Sequence, residues 1–352
     1  MLTLRSITGR CLAGLPVLAI TVTAMAATVT SNVPAGYLRW TLPATGSEEQ
    51  RTTLNFPLSS KPVDLCKVQS VDASTVTVAG SPWASFDFEQ NPSYLHFLSG
   101  AQAGRALRIL SNTANTLTVD ISDGTDQTVA LNASGFAVAA NDRFEIVPAR
   151  TIANTFGSTP AELQLAGGAT VDAADVVSLY NPSLLQWEEY FFNTAQSRWE
   201  KAGVAEDAGG TVIDPDDAVL LIRRPGRAEA QLIVTGQVPQ VPPLTKTTGG
   251  NQPVYTSTRY PIPMTFSELD FGANWQRGNN AFTADTVSVW DESSGRWLSY
   301  YQLPNGDWRR SGSQDVQNST VIPQGTVIGI LKRAKVTGAD SLVSVPMPYT
   351  LD

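Results

Sequence analysis

The chain has 352 residues, 42% hydrophobic and 16% charged, which excludes a disordered polymer and leaves room for two or three modules with their own cores. A net charge of −8, with no Lys/Arg cluster anywhere, excludes nucleic acid and anionic membrane as expected partners. One histidine and two cysteines exclude zinc, copper and haem sites built on clusters of those residues.

The first 26 residues read as a secretory signal. Arg5 and Arg10 supply the positive region, residues 11–24 the apolar stretch, and Ala24-Met25-Ala26 the small residues a signal peptidase needs. The expected mature start is Ala27. The stretch is too short for a spanning helix, and Arg10 before Cys11 argues against a lipoprotein. No membrane span is expected after cleavage, and the destination is the periplasm, the outer surface or the medium. The mature chain keeps 22 basic against 32 acidic residues and one cysteine, Cys66, so it has no internal disulfide. In the alternating run Val63-Asp64-Leu65-Cys66-Lys67-Val68, Cys66 reads as a buried structural thiol.

Strand signals dominate the rest of the chain. Thr75-Val76-Thr77-Val78, Thr116-Leu117-Thr118-Val119 and Val287-Ser288-Val289-Trp290 are alternating or rich in β-branched residues. Turn clusters such as Ala79-Gly80-Ser81-Pro82, Asn181-Pro182-Ser183 and Pro304-Asn305-Gly306-Asp307 separate such runs. The expected fold is all-β: an N-terminal barrel-like or sandwich-like module over 27–147, then two tandem sandwich or meander units. The units span 148–238 and 258–352, and a Pro/Gly-rich linker over 239–257 joins them.

The two units are read from a recurring block. Asp175, Trp187, Tyr190, Trp199, Gly203, Ile213 and Arg224 recur as Asp285, Trp297, Tyr300, Trp308, Gly312, Ile322 and Arg333. The offset is 110 residues, falling to 109 after one deletion between the tryptophans. Upstream, Ile152, Thr155 and Phe156 match Ile262, Thr265 and Phe266 at 110. Within the block three strands run as an antiparallel meander. Trp297 and Tyr300, an odd number apart, point to opposite faces.

These residues resemble a paralogous family of secreted all-β proteins from Verrucomicrobia-type bacteria. The resemblance spans nearly all of the mature chain. It rests on Pro34-Ala35-Gly36-Tyr37, on Ser99-Gly100-Ala101-Gln102-Ala103-Gly104, on Asn112-Thr113-Ala114-Asn115-Thr116-Leu117-Thr118-Val119, on Asp142-Arg143-Phe144-Glu145-Ile146-Val147-Pro148 and on the repeated block with Ile322-Pro323-Gln324-Gly325. The first unit departs from the pattern at Ile213-Asp214-Pro215-Asp216, where the proline shifts by one and Asp216 replaces the turn glycine. The resemblance implies export and a tandem layout, and assigns no activity.

No catalytic residue, metal ligand or cofactor site is expected. His96 lies in a strand-like run and reads as structural, and no G-x-S-x-G elbow is present. Adjacent Glu188 and Glu189 point to opposite faces of a strand and cannot pair. Asp120, Asp123 and Asp126 would suit Ca²⁺ in oxygen chemistry but not in spacing, so the 120–126 stretch reads as a hairpin turn. Asp214, Asp216 and Asp217 read the same way, with solvent keeping their carboxylates ionised. Asp175 and Asp285 are expected to cap the turn into each meander.

Aromatic residues carry the remaining signal. Trp187, Trp199, Trp297 and Trp308 are expected to fill the core of each unit, because a duplicated core keeps its fillers in both copies. Trp275 and Trp290, which lack a tryptophan twin, and Tyr301 are the candidates for an exposed ligand platform. The expected function is an exported, non-enzymatic structural or binding protein of the envelope or its surroundings, partnered by a glycan or another surface protein. A carbohydrate-binding protein and a carboxylate-dependent hydrolase are the alternatives.

Overall fold

The computed structural model describes residues 34–122, 128–181, 184–250, 252–291, 294–336 and 338–351. The expected signal over 1–26 and part of the Asp120 loop lie outside them. The fold is all-β, with one short α-helix, Ile152–Phe156, and two 3₁₀ turns among the described residues. Alternation builds the strands: in Thr116–Val119, Leu117 and Val119 are buried while the threonines between them keep partial exposure. No helix of the described residues is long and apolar enough to cross a membrane.

Seven strands form a curled, half-barrel sheet. Its order is Asp64–Lys67, Arg143–Pro148, Ser93–Phe97, Ala106–Asn112, Thr116–Val119, Thr75–Thr77 and Ser70–Val71, all antiparallel. The two edge strands are consecutive in the chain, so the sheet bends round to bring its margins together. Phe97, Leu107, Leu117, Phe144 and Ile146 fill its interior.

Two five-stranded antiparallel sheets follow the same plan. The first runs Arg198–Lys201, Gln186–Asn193, Val176–Asn181, Val219–Arg223, Gln50–Leu54. The second runs Trp308–Arg310, Arg296–Gln302, Thr286–Asp291, Ile328–Leu331, Pro253–Thr256. Registers agree: Val177 faces Tyr190 and Leu221, as Val287 faces Tyr300 and Ile330. Each sheet is closed by a two-stranded ribbon, Ala35–Leu42 with Ala230–Gln237 in the first unit and Leu244–Lys246 with Leu342–Ser344 in the second.

The expected boundaries need correction in three places. Residues 35–58 do not belong to the N-terminal module; Leu42, Leu54 and Phe56 pack in the first unit's core with Trp199 and Val219. The half-barrel therefore interrupts the first unit, between Gln50–Leu54 and Arg150–Thr151, where the second unit has only residues 257–263. The stretch 239–257 is not a free linker, since it supplies the strands Leu244–Lys246 and Pro253–Thr256 and buries Thr245, Thr247 and Thr256. Proline composition hid the second of these: Pro253 opens an edge strand, where a missing N–H breaks no ladder. Finally, the pairing of Thr151 with Val212 and of Thr265 with Val321 sets an offset of 114 there, so Ile152 matches Phe266 rather than Ile262.

Candidate functional site

A cleft of about 380 Å³ opens where the half-barrel and the two units meet. The first unit contributes Tyr180, Asn181, Glu188 and the turn Asp214-Pro215-Asp216-Asp217. The second contributes Lys246 and Tyr255, and the half-barrel Tyr94, Arg108 and Asp120.

The turn is rigid by construction. Pro215 presets its second position, Asp217 N–H donates to the Asp214 carbonyl at 2.9 Å, and Asp214 N–H donates to Asp217 Oδ2 at 2.8 Å. Asn55 Nδ2 donates to the Asp217 carbonyl at 2.7 Å, and Asn55 Oδ1 accepts from Ser257 Oγ at 2.6 Å. Two carboxylates then tie the parts together. The Tyr94 hydroxyl of the half-barrel donates to Asp214, and Arg259 of the second unit pairs with Asp216 at 2.5 Å.

These acids are half-buried, Asp216 keeping 35% of its side-chain surface open. Crowding by protein raises the Asp214 carboxyl to about 7, with the neighbouring Asp216 charge adding to the effect. Burial also raises Asp216, partly offset by Arg259, and lifts Asp217 well above the carboxylate range with help from Asp214. The turn folds inward beneath two other parts of the chain, which works against the expectation that solvent keeps this group ionised. Glu188 behaves oppositely: Lys201 at 2.8 Å and the Tyr190 hydroxyl at 3.1 Å hold it below its usual range. Lys246 is buried and donates to the Ser122 carbonyl. Among the described residues no group of three or more His, Cys, Asp or Glu side chains is arranged to hold a metal ion.

The tryptophans divide differently from expectation. Trp199 and Trp308 are core residues, 2% and 1% exposed, and Tyr190 and Tyr300 pack beside them. Trp187 and Trp297 are not core fillers. They sit on the opposite sheet faces, half-buried, and both meet Tyr255 of the second unit's edge strand, at 5.9 and 5.2 Å between ring centroids. Tyr180 joins them at 5.0 Å. Gly329 makes this possible, since a Cβ there would stand 3.3 Å from the Tyr255 ring. The rings thus bind one unit to the other.

Of the proposed platform, Trp275 and Tyr301 are each only 6% exposed. Trp275 stacks on Phe271 at 4.4 Å and packs against Trp308. Each occupies the place of a buried apolar residue 110 positions earlier, Leu165 and Phe191, and that match was the signal to follow. Trp290 alone is half-open, its ring 5.5 Å from Trp297.

Asp175 and Asp285 are buried clamps rather than turn caps. Asp285 accepts from the Gln276 and Arg333 backbone N–H groups at 2.9 and 2.7 Å and lies 3.8 Å from Lys332. Asp175 accepts from Ala166 and Arg224 in the same way and pairs with Arg227 at 2.9 Å. His96 accepts or donates through Nδ1 to Glu145 at 2.9 Å within the half-barrel sheet, and burial pushes the Cys66 thiol up to about 12.

No protein-family model, curated protein or solved structure matches the chain.

Proposed function

We propose that this is an exported, non-enzymatic binding protein of the envelope or its surroundings, and that it holds a carbohydrate in the cleft above Asp214, Asp216 and Asp217. The observation that carries the reading is the composition of that cleft: the Tyr180 and Tyr255 rings beside carboxyl, amide and ammonium groups, at a size suited to a small ligand. Aromatic rings take the apolar C–H faces of sugars, and the polar groups fix hydroxyls. The Asp214 carboxyl, raised to about 7, holds part of its protons near neutral pH and can then donate as well as accept, which favours a neutral sugar over a charged one. Export is supported by Ala24-Met25-Ala26 and the charged, then apolar, stretch before it.

A glycan array probed with the mature protein tests this. Neutral glycans should bind, and Asp217→Asn combined with Tyr255→Ala should abolish binding in protein that still melts cooperatively. Binding that survives both substitutions would place the ligand elsewhere.

The hydrolase alternative draws on one observation, the Asp214 carboxyl raised to about 7, which is where a general acid works. Against it, Asp214 is engaged by Tyr94, Asp216 by Arg259 and Asp217 by its own turn. Release of reducing ends from bound glycans, lost in Asp214→Asn, would establish that alternative.

A further inference from the structure

We infer that the chain carries a second saccharide site, in the cleft between Trp40 and Trp290, so that one molecule binds two neutral sugar units. This rests on the carbohydrate reading of the first cleft and extends it to a place with different chemistry.

The second cleft occupies about 430 Å³ and is the geometric counterpart of the first. Sheet registers set the correspondence. Thr52 faces Leu221 as Val254 faces Ile330, and Thr53 faces Leu220 as Tyr255 faces Gly329. Arg39 faces Ile233 as Lys246 faces Leu342. The turn Pro323-Gln324-Gly325-Thr326 stands where Asp214-Pro215-Asp216-Asp217 stands, and Trp290 where Tyr180 stands. Val254, Tyr255, Lys246, Tyr180 and the 214–217 turn line the first cleft, and Thr52, Thr53, Arg39, Trp290 and the 323–326 turn line the second.

The chemistry at the matched positions has changed in one direction. All three aspartates are gone, and no carboxylate is among the described residues lining the second cleft. Lys246 becomes Arg39, exposed rather than buried, and Val254 becomes Thr52. Among the described residues none of the half-barrel lines this cleft, whereas Tyr94, Arg108 and Asp120 wall the first. What remains is two indoles with hydroxyl, amide and guanidinium donors between them. That pattern suits a ring with apolar faces and an equator of hydroxyls.

Both indoles are held in place before any ligand arrives. Trp40 lies edge-on to Phe56 at 5.7 Å and against the turn, where a Cβ on Gly325 would come within 2.6 Å of its ring. Trp290 is fixed against Trp297. Rigid aromatic walls lose little freedom on binding, which is how a small neutral ligand gains affinity.

The test is saturation-transfer NMR and calorimetric titration of the mature protein with cellobiose, maltose, mannobiose and chitobiose. Three proteins are compared: wild type, Thr52→Ala/Gln324→Ala in the second cleft, and Asp217→Asn/Tyr255→Ala in the first. Two binding events are expected in wild type, and each double variant should lose one and keep the other. Gln324 is exposed and Thr52 half-buried, so their variant should melt as wild type does. A single event that survives Thr52→Ala/Gln324→Ala but is lost in Asp217→Asn/Tyr255→Ala overturns the second site and leaves the first, and one that survives both double variants overturns both. A single event lost in that variant but kept in Asp217→Asn/Tyr255→Ala supports the second site and overturns the first. Silence towards all four sugars at millimolar concentration overturns both.

Discussion

The two five-stranded units reach the same registers by different routes. The second is contiguous: all its strands, from Leu244–Lys246 and the edge strand Pro253–Thr256 to Leu342–Ser344, follow one another with no other module between them. The first must recruit Ala35–Leu42 and Gln50–Leu54 from before the half-barrel and pair Ala35 with Gln237. Long-range closure of this kind slows folding and adds little to stability. What the interruption adds is a wall. The half-barrel stands over the turn of the first unit and sends Tyr94 onto Asp214, so one of two matched clefts gains a third wall and carboxyl groups, while the other has neither among its described lining residues. Chemistry in this molecule lies where matched positions depart from each other, not where they agree.

The clamps are the first way to strain that comparison. Asp285→Ala leaves Lys332, 1% exposed, with the Asn274 carbonyl as its one hydrogen-bond partner among the described residues, and should cost about 3–5 kcal/mol. Asp175→Ala should cost less, because Arg223 keeps the carbonyls of Leu42, Pro43 and Ala228. Urea melts of the two variants would show the order, and equal losses would mean the clamps are interchangeable.

The tryptophans sharpen it next. Trp199→Ala and Trp308→Ala each empty a core position and should cost about 3–5 kcal/mol. Trp297→Ala, at the half-buried seam between units, should cost about 1–2 kcal/mol. If calorimetry finds Trp297→Ala as damaging as Trp308→Ala, the seam is a core and the division into two units is wrong.

The turns come third. Gly325 has φ +67° and abuts Trp40, so Gly325→Ala should cost about 1–3 kcal/mol. Its counterpart Asp216 is not among the described residues of positive φ, so Asp216→Ala carries no backbone strain. A Gly325→Ala protein that melts like wild type would mean the two turns share one conformation.

The smallest effect is a pH dependence confined to the first cleft. Asp214 holds its proton more tightly folded than unfolded, so the stability it contributes is complete below its ordinary value of 3.8 and is lost as pH rises through about 7. Asp216, Asp217, Tyr94 and Arg259 surround it and share the titration. Asp214→Asn cannot ionise, so above pH 7 it should melt about 2–4 °C higher than wild type, and the gap should close towards pH 4. A gap that widens on acidification would reverse the sign.

The sequence showed the framework more readily than the site. Alternation and turn residues revealed an all-β chain, and the recurrence of Trp199 as Trp308 in the second copy pointed to the core fillers. Spacing could not tell Trp187 from Trp199, because a residue kept in place by packing between units repeats as faithfully as one packed within a unit. Pairing across the half-barrel was invisible, since Ala35–Leu42 carries no local mark of its partner some two hundred residues on. The acid turn was in view but read as solvent-exposed. Only the chain folded over it, through Tyr94 and Arg259, makes those carboxyls unusual.

The central claim is that ligand enters the cleft where the three parts meet. Hydrogen–deuterium exchange of the mature protein, with and without the strongest-binding neutral glycan, tests it most directly. Protection should appear at Tyr180 and Asn181, across the Asp214 to Asp217 turn, and at Val254 and Tyr255. Protection confined to the exposed half-barrel edge around Leu65, with those three segments unchanged, would contradict it.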